Sequence, residues 1–131
     1  MARDANLVLQ ALVTKTATFN GAALTLPGGT PRRGLKARVI YKNATNASGS
    51  NSVTFSLDVS YDGGSTWISN LFQAKAITLS TTAQQDELFI PFEISPTSVT
   101  NGTKIRLTAT VAGAGSTPTI DYQGDIVPTR P

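Results

Sequence analysis

Val53-Thr54-Phe55-Ser56-Leu57-Asp58-Val59-Ser60-Tyr61-Asp62-Gly63-Gly64-Ser65-Thr66-Trp67 decides the fold class of this chain. Val53, Phe55, Leu57 and Val59 alternate with Thr54, Ser56, Asp58 and Ser60. A period of two predicts a half-buried β-strand, one face apolar and the other wet. Asp62-Gly63-Gly64 then supplies residues that tolerate positive φ in a tight hairpin turn. Trp67 is expected to begin the return strand.

Outward from this hairpin the same pattern recurs. Leu7, Leu9, Ala11 and Val13 alternate, as do Leu35, Ala37, Val39 and Tyr41, and Ile105, Leu107, Ala109 and Val111. Asn20-Gly21, flanked by 16–19 and 23–26, predicts a second hairpin. Shorter strands are expected at 67–72, 76–79 and 119–127. Glu87–Ile94, apolar on both faces around Pro91, reads as an edge strand or a bulge. Pro27-Gly28-Gly29-Thr30-Pro31 reads as a rigid turn, and Asn43–Ser52 as a polar loop. The expectation is an all-β, single-domain antiparallel β-sandwich, jelly-roll-like, spanning 1–131, with short arms at about 1–6 and 127–131.

Composition narrows the chemistry. The 131 residues include no cysteine and no histidine. Thiolate chemistry, a Ser-His-Asp triad and the commonest zinc ligands are therefore absent. Asp58, Asp62, Asp86, Glu87, Asp121 and Asp125 offer oxygen ligands, but none follows a calcium-loop spacing. Turn capping and solubility account for them, so neither catalytic residues nor a cofactor or metal site is expected. The formal sequons at Asn43, Asn46 and Asn101 matter only in a secreted chain. The polar opening and the absence of a long apolar run predict a soluble protein made in the cytoplasm, away from membranes.

Charge is unevenly distributed. Residues 1–42 carry a net +6 and residues 43–131 a net −3. Lys36, Arg38 and Lys42 share one face of the 35–42 strand, with Arg32 and Arg33 just upstream. An ordinary solvated face, a protein-docking surface and a phosphate-binding strip all fit this row. Ile40 lies in the same row and no aromatics interleave, so nucleic acid is the weakest of the three.

Ser60-Tyr61-Asp62-Gly63-Gly64-Ser65-Thr66-Trp67 resembles the Asp-box of sialidase propellers. In that motif the aspartate caps a turn and the tryptophan packs beneath it. A single copy without further repeats implies a hairpin scaffold built from Asp62, Gly63, Gly64 and Trp67. The alternative use is sugar stacking on Tyr61 and Trp67, as in a carbohydrate-binding module displayed on a virion or tail.

A wider resemblance covers about the first 70 residues. The opening Asp4-Ala-Asn-Leu-Val-Leu-Gln, the stretch Leu26-Pro-Gly-Gly-Thr-Pro-Arg-Arg-Gly-Leu-Lys-Ala-Arg-Val and the 57–67 hairpin resemble small β-sandwich decoration, or cement, proteins of tailed-bacteriophage heads. The resemblance implies a non-enzymatic virion protein on the capsid exterior. Its partners would be the major capsid protein and its own copies, as trimers or dimers. Arg32, Arg33, Lys36, Arg38 and Lys42 would then dock on the capsid, and Ala2, Arg3, Asp4, Asn6, Pro128 and Arg130 would act as reaching arms.

Overall fold

A computed structural model describes residues 8–25, 35–46, 51–93, 103–113 and 118–128, with the side chain of Pro128 excepted. The described residues contain strands and no helix. Ten strands follow in order: β1 (Val8–Lys15), β2 (Phe19–Asn20), β3 (Leu24–Thr25), β4 (Leu35–Asn46), β5 (Asn51–Ser60), β6 (Ile68–Gln73), β7 (Ile77–Thr78), β8 (Gln84–Phe92), β9 (Lys104–Gly113) and β10 (Pro118–Pro128). One sheet has the order β1-β10-β4-β8. The other has the order β2-β9-β5-β6, with β3 also on β9 and β7 also on β5. Every pairing is antiparallel.

The pairings are nested. β1 meets β10, β2 and β3 meet β9, β4 meets β8, and β5 meets β6 and β7. Successive nested pairs lie alternately in the two sheets. With β2 and β3 counted as one interrupted strand, and β6 and β7 as another, this is the eight-stranded jelly-roll.

The alternation read from sequence builds the core. Leu35, Ala37, Val39 and Tyr41 point inward from β4, and Val53, Phe55, Leu57 and Val59 from β5. Phe55 crosses between the sheets and meets the Tyr122 ring edge-on at 4.9 Å. Each buried Val, Leu or Phe among them contributes about 1.5–3 kcal/mol on leaving water, and the close fit adds dispersion.

Several local expectations are corrected. Asn20-Gly21 does not turn a hairpin: β2 and β3 both pair with β9. The Gly21 amide donates to the Leu107 carbonyl at 2.8 Å. A Cβ at position 21 would meet that oxygen at 2.7 Å, so glycine serves close backbone approach. The polar run 43–52 is not one loop, because β4 continues to Asn46 and β5 begins at Asn51. Ala44, Asn46 and Asn51 are buried there. The return strand begins at Ile68, one residue after Trp67. β8 is the edge of its sheet, with Pro91 opposite Lys36. β10 runs through Val127 to Pro128, so the sheet takes in the start of the expected C-terminal arm. Ala2, Arg3, Asp4, Asn6, Arg32, Arg33 and Arg130 lie outside the described residues.

Candidate functional site

β4 presents Lys36, Arg38, Ile40 and Lys42 on its outward face because their neighbours fill the core. Register then decides what the bases meet. Asp125 of β10 and Phe89 of β8 flank Arg38, while Glu87 lies beside Ile40 and Asp121 beside Lys42. The Arg38 guanidinium donates to Asp125 Oδ2 at 3.3 Å, and its Nε stands 3.9 Å from Glu87 Oε2. The Lys36 ammonium sits 4.2 Å from the centre of the Phe89 ring. Asp121 accepts from the Thr14 hydroxyl at 2.6 Å and from the Asn43 amide at 2.8 Å. Those two bonds hold its carboxyl below the usual range, and Lys42 adds a smaller push in the same direction.

The basic row is thus interleaved with acids from both neighbouring strands. Within the described residues it is a mixed face and not a uniform positive field. Phosphate binding is strongest on uncompensated cations, and here acids stand beside Arg38 and Lys42. An open hollow of about 440 Å³ is lined by Ile40, Tyr41, Lys42, Gln85, Asp86 and Glu87. The Asp86 charge adds to burial in raising the Tyr41 hydroxyl's pKa.

The hairpin behaves as a capped turn. Ser60 Oγ donates to Asp62 Oδ1 at 2.8 Å and accepts from the Gly64 amide at 2.9 Å. The Thr66 amide donates to the same Asp62 oxygen at 2.8 Å. These hydrogen bonds, with Thr66 first, lower the Asp62 pKa. Gly63 and Gly64 take φ values of 76° and 99°, where a side chain would be strained. Trp67 is half-buried, and the Arg106 guanidinium lies 4.3 Å from its ring centre. Tyr61 packs against the core. One face of the Trp67 platform is therefore already occupied by protein.

A polar centre on the outward face of β5 was missed from sequence. Ser56, Asp58 and Ser60 were expected to be wet, yet all three are buried. Asp58 accepts from Arg106 Nε at 2.8 Å, the Thr108 hydroxyl at 2.9 Å and the Asn70 amide at 2.8 Å. Ser56 donates to the Asn70 side chain at 2.7 Å. Asn70 reaches them from an irregularity in the β5–β6 register, at φ 54°. The signal present in the sequence was complementary: Asp58 and Arg106 each sit in the polar row of an alternating strand. Register alone places them opposite one another.

No group of three or more Asp or Glu among the described residues is placed to hold a metal ion. No helix there is long and apolar enough to cross a membrane. Comparison with protein-family models, with curated proteins and with solved structures finds no match to this chain.

Proposed function

We propose that this protein decorates the head of a tailed bacteriophage, binding the outer capsid lattice and bridging its subunits. The outward face of β4 and β8 is the docking surface in this reading, and its partner is the major capsid protein. The observation that carries the reading is Phe89. It is 41% exposed, lies under the Lys36 ammonium and is flanked by Arg38, whose guanidinium is held by Asp125. An exposed aromatic within a compensated polar rim is the anatomy of a protein-contact hot spot. Of the expected docking residues, Lys36, Arg38 and Lys42 share this face. Arg38 acts there mainly as a strut, held by Asp125.

The proposed mechanism is linkage. A ligand that binds only the assembled lattice stabilises it by mass action, and the effect multiplies over many equivalent sites. The hairpin of 60–67 contributes rigidity and makes no lattice contact of its own.

Co-sedimentation with assembled heads tests the reading. The native chain is expected in the capsid fraction, and Phe89→Ala is expected to weaken retention by about tenfold or more. Absence of the native chain from every capsid fraction would overturn it. A carbohydrate-binding role needs Tyr61 and Trp67 open to a sugar face. Arg106 stacking and the packing of Tyr61 argue against that role. Retention on glycans that Trp67→Ala abolishes would reinstate it.

A further inference from the structure

The edges of the four-stranded sheet are complementary. In the order β1-β10-β4-β8 every neighbour is antiparallel, so β8 runs opposite to β1. A second copy laid beside β8 without being turned over therefore presents its own β1 antiparallel to β8. The sheet would continue its alternation across the junction.

Side chains select one register. Leu12 on β1 is 58% exposed and Phe89 on β8 is 41% exposed, the two most exposed large apolar side chains of this sheet among the described residues. Val13 packs on the core, so Leu12 points outward; Ile90 is buried, so Phe89 points outward too. Setting Leu12 opposite Phe89 in an antiparallel pair places Val13 opposite Leu88, Thr14 opposite Glu87 and Lys15 opposite Asp86. Members of each opposed pair share a face, as antiparallel pairing requires. One register thus joins apolar to apolar and cation to carboxylate.

Leu12 stands at the end of the irregular part of β1, and the rest of the ladder falls on regular strand. Register shifts disturb β1 between Val8 and Val13, whereas Val13, Thr14 and Lys15 pair regularly with β10. Pro91, which has no amide hydrogen, falls opposite Gln10 in the disturbed part. Lys15 waits at the rim with its ammonium 3.6 Å from the centre of the Phe19 ring.

We propose that copies of this chain join head to tail by strand addition, β8 of one against β1 of the next, in the register Leu12–Phe89 and Lys15–Asp86. The acids of β8 are a device of selection. Asp86, Glu87 and the following Glu93 repel a second β8, so two-fold edge pairing is disfavoured while a Lys-bearing edge is accepted. A heterologous contact of this kind closes into a ring or extends as a filament. The inference stands on the sheet edges alone and does not depend on the capsid reading.

Introduced cysteines report the contact cleanly, because the chain has none of its own. Leu12→Cys and Phe89→Cys, purified separately and oxidised, are expected to stay unlinked alone and to form disulfide dimers when mixed. The double variant is expected to give a ladder of linked multimers. By light scattering the native chain should have a mass that is a multiple of 13.7 kDa. Asp86→Lys and Lys15→Glu should each return it to the monomer, and the two combined should restore assembly. Circular dichroism of each variant separates lost assembly from lost folding. A native chain that stays monomeric, or Phe89→Cys linking to itself, would overturn the proposal. Monomeric Asp86→Lys that still co-sediments with heads would show that docking does not require assembly. A native multimer that ignores heads would instead remove the capsid reading and leave this one standing.

Discussion

Each sheet turns a buried aspartate toward the outside of the sandwich, and each aspartate meets an arginine from the next strand. On the β5–β9 face, Asp58 is 2% exposed and takes hydrogen bonds from Arg106, Thr108 and the Asn70 backbone, all at 2.8–2.9 Å. On the β10–β4 face, Asp125 is 4% exposed and meets Arg38 at 3.3 Å. Arg38 is also drawn toward Glu87 at 3.9 Å, and its Nε makes no hydrogen bond among the described residues. Arg106 has a second anchor in the Trp67 ring. The first pair is locked by several short bonds and an aromatic lid, while the second is shared and longer. Buried ion pairs stabilise only when their remaining hydrogen-bonding capacity is met. The contrast teaches that the Asp58 centre is held by several short bonds, whereas Arg38 on the other face is divided between two carboxylates.

The largest expected effect is at Asp58. Asp58→Ala strands Arg106, Thr108 and the Asn70 amide together, and should cost about 3–5 kcal/mol in urea unfolding. A loss as small as that of a surface substitution would break the comparison. Next come the arginines. Arg106→Ala should cost about 1.5–3 kcal/mol, from a charge-assisted bond and the Trp67 stack. Arg38→Ala should cost less, about 1–1.5 kcal/mol, since its bonds to the carboxylates are longer and divided. Equal midpoints for the two variants would show that the faces do not differ.

Much of this was legible and some was not, for a definable reason. The inward rows of β4, β5 and β9 follow from alternation, because a strand with one apolar row has only one way to bury it. The hairpin at Asp62 follows from residues that act within a few positions of each other. The error at Asn20-Gly21 arose because the same two residues can serve a turn or a close approach to another backbone. Only Leu107 decides between them. The wet reading of Ser56, Asp58 and Ser60 failed because an alternating pattern marks the polar row without saying what covers it. The basic row was read correctly as a row, but its neutralisation by Asp125 and Glu87 depends on strand order.

Acid sharpens the comparison at lower amplitude. Asp62 and Asp121 have folded pKa values held below the ordinary carboxylate value of about 3.9. Their contribution is complete above that unfolded value and is lost as pH falls through the lower folded value. Asp62→Asn and Asp121→Asn should each make stability less steep with pH below about 4, as followed by thermal unfolding. An unchanged slope would mean that the Thr66 and Thr14 bonds hold the neutral form equally well.

The smallest effect is expected between the two faces. Tyr122 is fully buried, its hydroxyl has no hydrogen-bond partner among the described residues, and burial pushes its pKa up to about 12. Tyr122→Phe should leave neutral-pH stability unchanged or slightly raised. The tyrosine's contribution is present below its unfolded value of about 10 and fades as pH rises toward the folded one. The phenylalanine variant should therefore resist alkaline unfolding better. A marked loss at neutral pH would reveal that the hydroxyl is satisfied after all.

The sequence by itself determined that the chain is all-β, which residues form the apolar rows, and that Asp62-Gly63-Gly64 turns the chain. These are consequences of local spacing and local backbone freedom. Tertiary structure alone decided the nested jelly-roll order, the burial of Asp58 by Arg106, and the pairing of Arg38 with Asp125. The physical reason is range: hydrogen bonds and ion pairs act over a few ångströms. Residues tens of positions apart reach that distance only when strand order and register are fixed.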